Sequence, residues 1–189
     1  MSSSSMILVC RSGLILYSAT LFCLTCAEFA TSLTELKDET IPALVECRMK
    51  GYCKAIGLTG YPLAVQHELL VSCNALSCGD VVFDQSLVYC HNNLHDMSLY
   101  DDHAFLWPGE TERMSFAKCC QKGNIKLMAA APLSMGLLTC SGPPSWHPAS
   151  QALRQACASA AQLCESQEVD IASLALLYAL SQQEVGCIL

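Results

Sequence analysis

Positive charge is scarce in this chain of 189 residues: Lys and Arg together number 10 against 17 Asp plus Glu, and the formal net charge is −7. No basic run occurs. A chain with neither cationic excess nor a basic stripe cannot neutralise a phosphate backbone, so nucleic acid is excluded as a partner. Charge of either sign is sparse too, at 14% of residues, where an ordinary soluble domain carries about 25%. The deficit is made up by hydrophobic residues, at 52%. Either a sheet buried on both faces or a membrane-directed segment must account for that excess. The length suits one domain with a short tail.

A cysteine framework is also missing. The chain has 14 Cys, yet beyond the adjacent Cys119-Cys120 they are scattered, and no pair of C-x-x-C motifs makes a zinc-type set. Cys157 and Cys164 fall on apolar helical positions, where a free thiol acts as a small hydrophobe. Reduced structural cysteines are expected rather than disulfides.

Residues 1–27 stand apart. Four serines precede an apolar run from Met6 to Ala27 whose one charge is Arg11. Thr25-Cys26-Ala27 places small residues before Glu28. This is the grammar of a secretory signal. Ser12, Ser18 and Thr20 interrupt it too often for a spanning helix.

Beyond Glu28, β and α patterns alternate. Thr31 or Ser32 caps a helix with Leu33, Leu36, Ile41, Leu44 and Val45 near helical spacing, and Pro42 should kink or restart it. Glu35, Asp38, Glu39 and Glu46 read as its solvated face. Gly51 ends that helix. Tyr52 to Leu58 reads as a strand, Thr59-Gly60 as a turn, and Pro62 starts a helix to about Cys73. His67 on that helix reads as a surface residue. Val81 to Phe83 and Leu87 to Cys90 are strand-like, with Asp84-Gln85-Ser86 as an insertion between them. His91, His95 and His103 lie near Asp96, Asp101 and Asp102, but without a second anchor they read as a polar loop rather than a metal site. Leu99 to Thr111 is expected to be least regular, with Trp107-Pro108-Gly109 forcing a turn. Glu112 to Gln121 reads as a short helix with Met114 and Ala117 inward. Ser150 caps a helix over Gln151 to Ser166, and Val169-Asp170 opens another over Ile171 to Ser181. Val185 to Leu189 begins a further strand.

The stretch from Ile125 to Pro148 organises the rest. Ile125 to Ala131 is an apolar run behind a Gly-Asn turn, the pattern of a strand buried on both faces. Pro132 ends it. The following loop holds Gly136, Gly142 and three prolines, yet Met135, Leu137, Leu138 and Trp146 make it too apolar for disorder.

That stretch, A-P-L-S-M-G-L-L-T followed by G-P-P-S-W-H-P-A-S, resembles the seventh strand and loop of aldo-keto reductases, most of all their L-galactose dehydrogenase-like branch. The likeness extends from Glu28 to Leu189, including E-T-I-P-A-L, A-I-G-L-T-G-Y-P-L and V-D-I-A-S-L-A-L-L-Y-A-L. It implies an α/β fold: the C-terminal half of a (β/α)8 TIM barrel, about strands four or five to eight, with parallel strands and outer helices. Strands near Ala55 to Leu58, Leu87 to Cys90 and Ile125 to Ala130 should then lie parallel and adjacent. The resemblance also offers a second reading of the N-terminal segment, as a remnant fourth strand. Cys23 then occupies the place of a catalytic His, with Cys26 at that motif's Asp position.

For function the resemblance implies an NAD- or NADP-dependent oxidoreductase of a sugar or aldehyde, cytoplasmic unless residues 1–27 act as a secretory or membrane-directed signal. The dinucleotide contacts would come from Thr59 and Gly60 at the carboxamide, with Ala131, Leu133, Ser134 and Gly136 along the pyrophosphate. Most relatives have Ser-Asn at Thr59-Gly60, though the L-galactose branch shares Thr-Gly. Ala130 stands where many place a stacking aromatic. The family's catalytic Tyr, Asp and Lys belong to strands and loops one to three, and no residue here matches them. Tyr52, Tyr61, Tyr89 and Tyr178 are no substitutes, because a tyrosine needs a lysine and an aspartate beside it to donate a proton near neutral pH. No catalytic and no metal-binding residue is therefore assigned. The readings that follow are a reductase-type half barrel inactive alone, a non-enzymatic pairing module that self-associates through open sheet edges, and an incomplete product of a longer gene.

Overall fold

The computed structural model describes residues 6–8, 19–25, 27–30, 32–76 and 82–189. Its strands are β1 (Met6–Leu8), β2 (Ala19–Thr25), β3 (Cys53–Gly60), β4 (Gln85–Tyr89), β5 (Phe105–Leu106), β6 (Arg113–Met114), β7 (Lys126–Ala130) and β8 (Cys187–Ile188). Its helices are α1 (Leu33–Glu35), α2 (Ile41–Met49), α3 (Leu63–Leu76), α4 (Phe116–Lys122), α5 (Gln151–Ser166) and α6 (Ile171–Ser181). Six strands form one sheet in the order β1-β2-β3-β4-β7-β8, and every neighbouring pair in it is parallel. Parallel neighbours need crossovers, and from β2 onward described helices lie between the paired strands in the chain. The three strands expected to be adjacent are so: Gly57 pairs with Gln85, and Gln85 with Lys126. Of the N-terminal run, β2 pairs with β3 from Ala19 opposite Cys53 to Thr25 opposite Thr59. Residues 9–18 and Cys26, which the signal-like reading needs, lie outside the described residues.

The segment before β3 shows how Pro42 is accommodated. The Ser32 hydroxyl accepts from the Thr34 amide at 3.1 Å and opens α1. A wide π turn, Leu36–Thr40, follows, and Ile41 N–H donates to the Leu36 carbonyl. Pro42 has no N–H and its ring crowds the carbonyl four residues back, so a wider turn removes the clash. The expected restart thus takes the form of a π turn, with Leu36, Ile41 and Leu44 buried. Gly51, at φ 77°, closes α2.

Two expectations are corrected around β4. Of the run Val81 to Phe83, Val82 and Phe83 are not strand and Val81 lies outside the described residues; of the expected insertion Asp84-Gln85-Ser86, Gln85 and Ser86 lie inside β4. The hydrophobic pair Val82-Phe83 is buried from a turn, not from a ladder. Ser86 is fully buried because its hydroxyl donates to Gln66 Oε1 at 2.7 Å, while Gln66 Nε2 donates to the Gly60 carbonyl at 2.8 Å. Asp84 leads into the strand, accepting the Ile56 amide on its carboxylate at 2.8 Å and lying 3.3 Å from Arg48.

A third correction concerns Glu112 to Gln121. The helix there begins only at Phe116, behind the Ser115 cap, whose hydroxyl accepts from the Lys118 amide at 3.3 Å. Arg113–Met114 instead pairs antiparallel with Phe105–Leu106. Met114 and Ala117 are buried as expected. The turn at Trp107 is fixed by packing: a Cβ on Gly123 would stand 2.8 Å from the indole ring, so only glycine fits beneath it. His67, read as a surface residue, is half-buried and stacks against Phe105 with ring centroids 4.7 Å apart.

Both C-terminal helices form where the caps place them. Ser150 accepts from the Leu153 amide, and Asp170 from Ala172 and Ser173. The main core lies between sheet and helices around Ile56, Leu58, Leu69, Leu70, Phe83 and Phe116. A second, smaller core joins Leu137 and Leu138 to Cys157, Ala161, Ile171 and Ala175. The described cysteines are free thiols, mostly buried, with Cys140 and Cys187 exposed. Burial raises the Cys120 thiol strongly and the Cys73 and Cys119 thiols to about 11, so these groups stay protonated and inert.

The Ser86–Gln66–Gly60 chain yields a direct test. Gln66→Leu strands a buried hydroxyl and a buried carbonyl, and should cost about 2–4 kcal/mol of stability in urea denaturation. Adding Ser86→Ala to that variant should recover part of the loss, because the hydroxyl no longer needs a partner.

Candidate functional site

Parallel strands all point one way, so their carboxyl ends gather the loops on one rim. Gly60, Tyr89 and Ala130 end β3, β4 and β7 there. Above them lies a cavity of about 600 Å³ lined by Phe29, Tyr61, Tyr89, Cys90, His95 and Ser134 among others. Its wall is mostly aromatic and aliphatic, with a few converging polar groups, the usual make-up of a small-molecule site.

On the β3 side, Thr59 and Gly60, read from sequence as a turn, are instead the last two residues of the strand, paired with Leu87 and Val88, and Thr59 Oγ1 lies 2.9 Å from Cys23 Sγ, the sulfur at the position the resemblance gives to a histidine. Gly60 is pinned from two directions. Its carbonyl takes the Gln66 amide, and a Cβ on it would meet Glu28 Oε2 at 2.7 Å. Glu28 Oε1 accepts the Tyr61 amide at 3.1 Å, while Oε2 is buried without a hydrogen-bond partner. The missing side chain at Gly60 is what lets Glu28 close against the strand end.

From β4 the chain enters a polar loop. Tyr61 stacks on His91 with centroids 4.9 Å apart, and His91 Nε2 donates to the Tyr61 carbonyl at 2.6 Å. His91 Nδ1 lies 2.8 Å from Ser98 Oγ and 3.5 Å from Asp96 Oδ2. Burial alone would raise the Asp96 carboxyl, but hydrogen bonds from the Ser98 hydroxyl and amide, with His91 and His95 nearby, hold it below its ordinary value. His95 Nε2 reaches Ser134 Oγ at 2.7 Å, across the rim to the loop after β7. Burial pushes the His95 imidazole down, against an opposing pull from Asp96. His103 sits apart and exposed. Among the described residues no three His, Cys, Asp or Glu side chains converge as a metal set.

The loop after β7 is locally wound. Ala131, Ser134 and Met135 have φ of 60°, 48° and 51°, and Gly136 has 95°. Ser134 N–H donates to the Ala131 carbonyl at 2.9 Å, and Gly136 N–H to Leu133 at 3.1 Å. Those two amides are thus engaged inside the loop, whereas Leu133 and Met135 make no such turn bond. Ala131 N–H donates to the Leu189 carbonyl at 3.0 Å, tying the loop's start to the end of β8. Arg154 on α5 holds the loop's far side: it donates to Ala149 at 3.2 Å, to Ser145 at 3.3 Å, to Pro144 at 3.4 Å and to the His147 carbonyl. His147 is buried, and its Nε2 donates to the Ser134 carbonyl at 3.1 Å.

The rim thus joins residues singled out in sequence, Thr59, Gly60, Ala131, Leu133, Ser134 and Gly136, to His95, read there only as part of a polar loop, and to others given no site role: Glu28, Cys90, His147 and Arg154. W-H-P followed by a capped helix carrying an arginine was a signal for the last pair. Glu28 gave none, because it reads as an ordinary charge at a segment boundary.

A parallel sheet with crossover helices and its polar loops at the carboxyl rim is an α/β arrangement consistent with part of a (β/α) barrel. The chain belongs to the aldo/keto reductase family, whose model matches residues 19–189. Among relatives, L-galactose dehydrogenase of Arabidopsis thaliana is 35% identical over 158 residues, which is 84% of this chain and 44% of that protein. D-arabinose 1-dehydrogenase of Saccharomyces cerevisiae is 30% identical over 145 residues, 76% of this chain and 39% of that protein. The chain therefore spans less than half the length of these relatives.

Burial of His95 and His67 predicts a pH signature. Both imidazoles are held below their ordinary value, first by burial. The unfolded chain then binds more protons than the folded one between the lowered values and about 6.5, so stability is full above that ordinary value and declines as pH falls through the window. The urea midpoint should drop on that side of neutrality, and His95→Gln with His67→Gln should flatten the drop.

Proposed function

We propose that these residues form the dinucleotide-facing part of an NAD- or NADP-dependent oxidoreductase of a sugar or aldehyde, and that the 189 residues do not turn over substrate alone. The observation that carries the reading is the rim itself. Thr59 and Gly60, the last residues of β3, and the Ala131–Gly136 loop after β7 sit at the carboxyl rim, on either side of β4 and next to an apolar cavity. Relatives named as sugar dehydrogenases support the substrate class. Leu133 and Met135 offer amides that the loop does not use, and these are the groups through which a pyrophosphate would be held.

In this reading Ala19–Thr25 is the fourth barrel strand, supported by its register on β3, and the protein is cytoplasmic. Among the described residues no helix is long and apolar enough to cross a membrane. Self-association belongs to the same proposal. The described sheet is open at β1 and β8, and α6 turns Leu174, Leu176, Leu177 and Leu180 outward. Open parallel edges and an apolar helix face invite pairing.

Two measurements check this. Fluorescence titration with NADH and NADPH should show no saturable binding below about 10 μM, since each lost contact of about 1.4 kcal/mol weakens affinity tenfold. Tight binding by the isolated chain would show that the half site is sufficient. Size-exclusion chromatography at low micromolar concentration should show oligomers, and a sharp monomer peak would remove the pairing proposal.

A further inference from the structure

The Ser134–His95 contact has no part in the reading just given, which uses backbone amides of the loop. It joins the two sides of the cavity through a hydroxyl and an imidazole 2.7 Å apart. Three further features bear on what such a pair can do. Ser134 lies four residues past the end of β7, is buried, and has φ 48° in the left-handed region. Its hydroxyl lies 2.7 Å from His95 Nε2 and 4.0 Å from Cys90 Sγ, and in the tautomer that carries the ring proton on Nδ1 the imidazole nitrogen accepts the hydroxyl proton. The next amide, Met135 N–H, takes no part in the loop's turn bonds, and Met135 also lines the cavity. A serine on a strained turn after a strand, a histidine in reach of its oxygen and a free amide on the following residue are the parts of an acyl-transfer site.

We propose that Ser134 and His95 form a nucleophile–base pair that accepts acyl groups from small, uncharged esters. Ser134 Oγ attacks the ester carbonyl carbon while His95 Nε2 takes the hydroxyl proton. The Met135 amide donates to the carbonyl oxygen as it gains charge. The bond from carbon to the alcohol oxygen breaks, and His95 returns its proton to the leaving alcohol. Water, deprotonated in turn by His95, then cleaves the acyl-serine to give the acid and the free hydroxyl. The cavity wall of Phe29, Tyr61, Tyr89, Leu137 and Leu153 selects apolar acyl or alcohol groups over charged ones. No described carboxylate is hydrogen-bonded to the other nitrogen of His95, so the pair is a dyad. Its turnover is slow and its clearest trace is the covalent adduct.

The test uses the full chain without dinucleotide. Because exposed cysteines such as Cys140 also react with activated acetyl esters, the readout is a serine-directed ethyl fluorophosphonate, with the site located by peptide mass spectrometry. A single adduct on Ser134 is expected. His95→Gln, which keeps a hydrogen-bonding group beside the hydroxyl, should slow labelling at least tenfold. Ser134→Gly, which suits the positive φ and preserves the turn, should abolish both labelling and the cysteine-independent release of p-nitrophenol from p-nitrophenyl acetate after thiols are blocked. Labelling spread over other residues, no labelling, or equal rates in the His95 variant would overturn the proposal. None of those outcomes bears on the dinucleotide reading, which the cofactor titration tests separately.

Discussion

A buried chain of hydrogen bonds from Ser86 through Gln66 to the Gly60 carbonyl sets the geometry on which the rim depends. It links β4, α3 and the end of β3, three elements that apolar packing alone would allow to slide past one another. Both side chains are fully buried, so neither can exchange its partner for water. Burying an unpaired hydroxyl or amide costs more than a satisfied one returns, and only one register satisfies all three groups. With Gly60 fixed by its carbonyl, its bare Cα meets Glu28, and Glu28 in turn holds the Tyr61 amide. Tyr61 then stacks on His91. The rim is thus positioned from the inside of the sheet outward.

The loop after β7 solves a different problem. A segment with so many prolines and glycines has few ladder hydrogen bonds, so its backbone groups need other partners. Four come from Arg154, whose planar fork spreads its five donors over carbonyls that the compact point of a lysine ammonium would not span. Leu137 and Leu138 anchor the loop from beneath, in a small core shared with α5 and α6. The left-handed turns at Ala131, Ser134 and Met135 carry strain that persists because both ends are tied, by Leu189 at one side and by His147 at the other. Rigid loops of this kind hold functional groups without a ligand present.

Much of this was legible in the chain. The caps at Ser150 and Asp170 and the turn residues at Gly51 and Pro132 follow from local chemistry, whereas the parallel order of β3, β4 and β7 was implied by the family resemblance. Reading failed where a long-range partner changes what a residue means. Gln85 and Ser86 look like loop residues until Gln66 and the neighbouring strands pair with them. Val82 and Phe83 look like strand because hydrophobicity signals burial but not the route to it. Arg113 and Met114 extended a helical pattern on paper, but the Ser115 cap starts the helix later and Phe105–Leu106 supplies a β partner. The carboxyl-rim residues named from resemblance fell together in space, yet the side chains that hold them came from four separate segments with no shared motif.

The apolar excess of the composition now has an address. A sheet covered by helices absorbs most of it, as a two-sided parallel sheet must. The remainder is concentrated rather than spread: α6 is apolar nearly all round, burying Ile171, Ala175 and Ala179 on one side and presenting four leucines on the other. That helix leads into β8, at one end of the described sheet. A helix of this composition is at home in the interior of a larger structure rather than at a water interface. The carboxyl rim, by contrast, is held by buried polar bonds that do not involve α6's outer face. Covering that face with other polypeptide would therefore change solubility and association while leaving the strand end at Gly60 and the β7 loop as they stand.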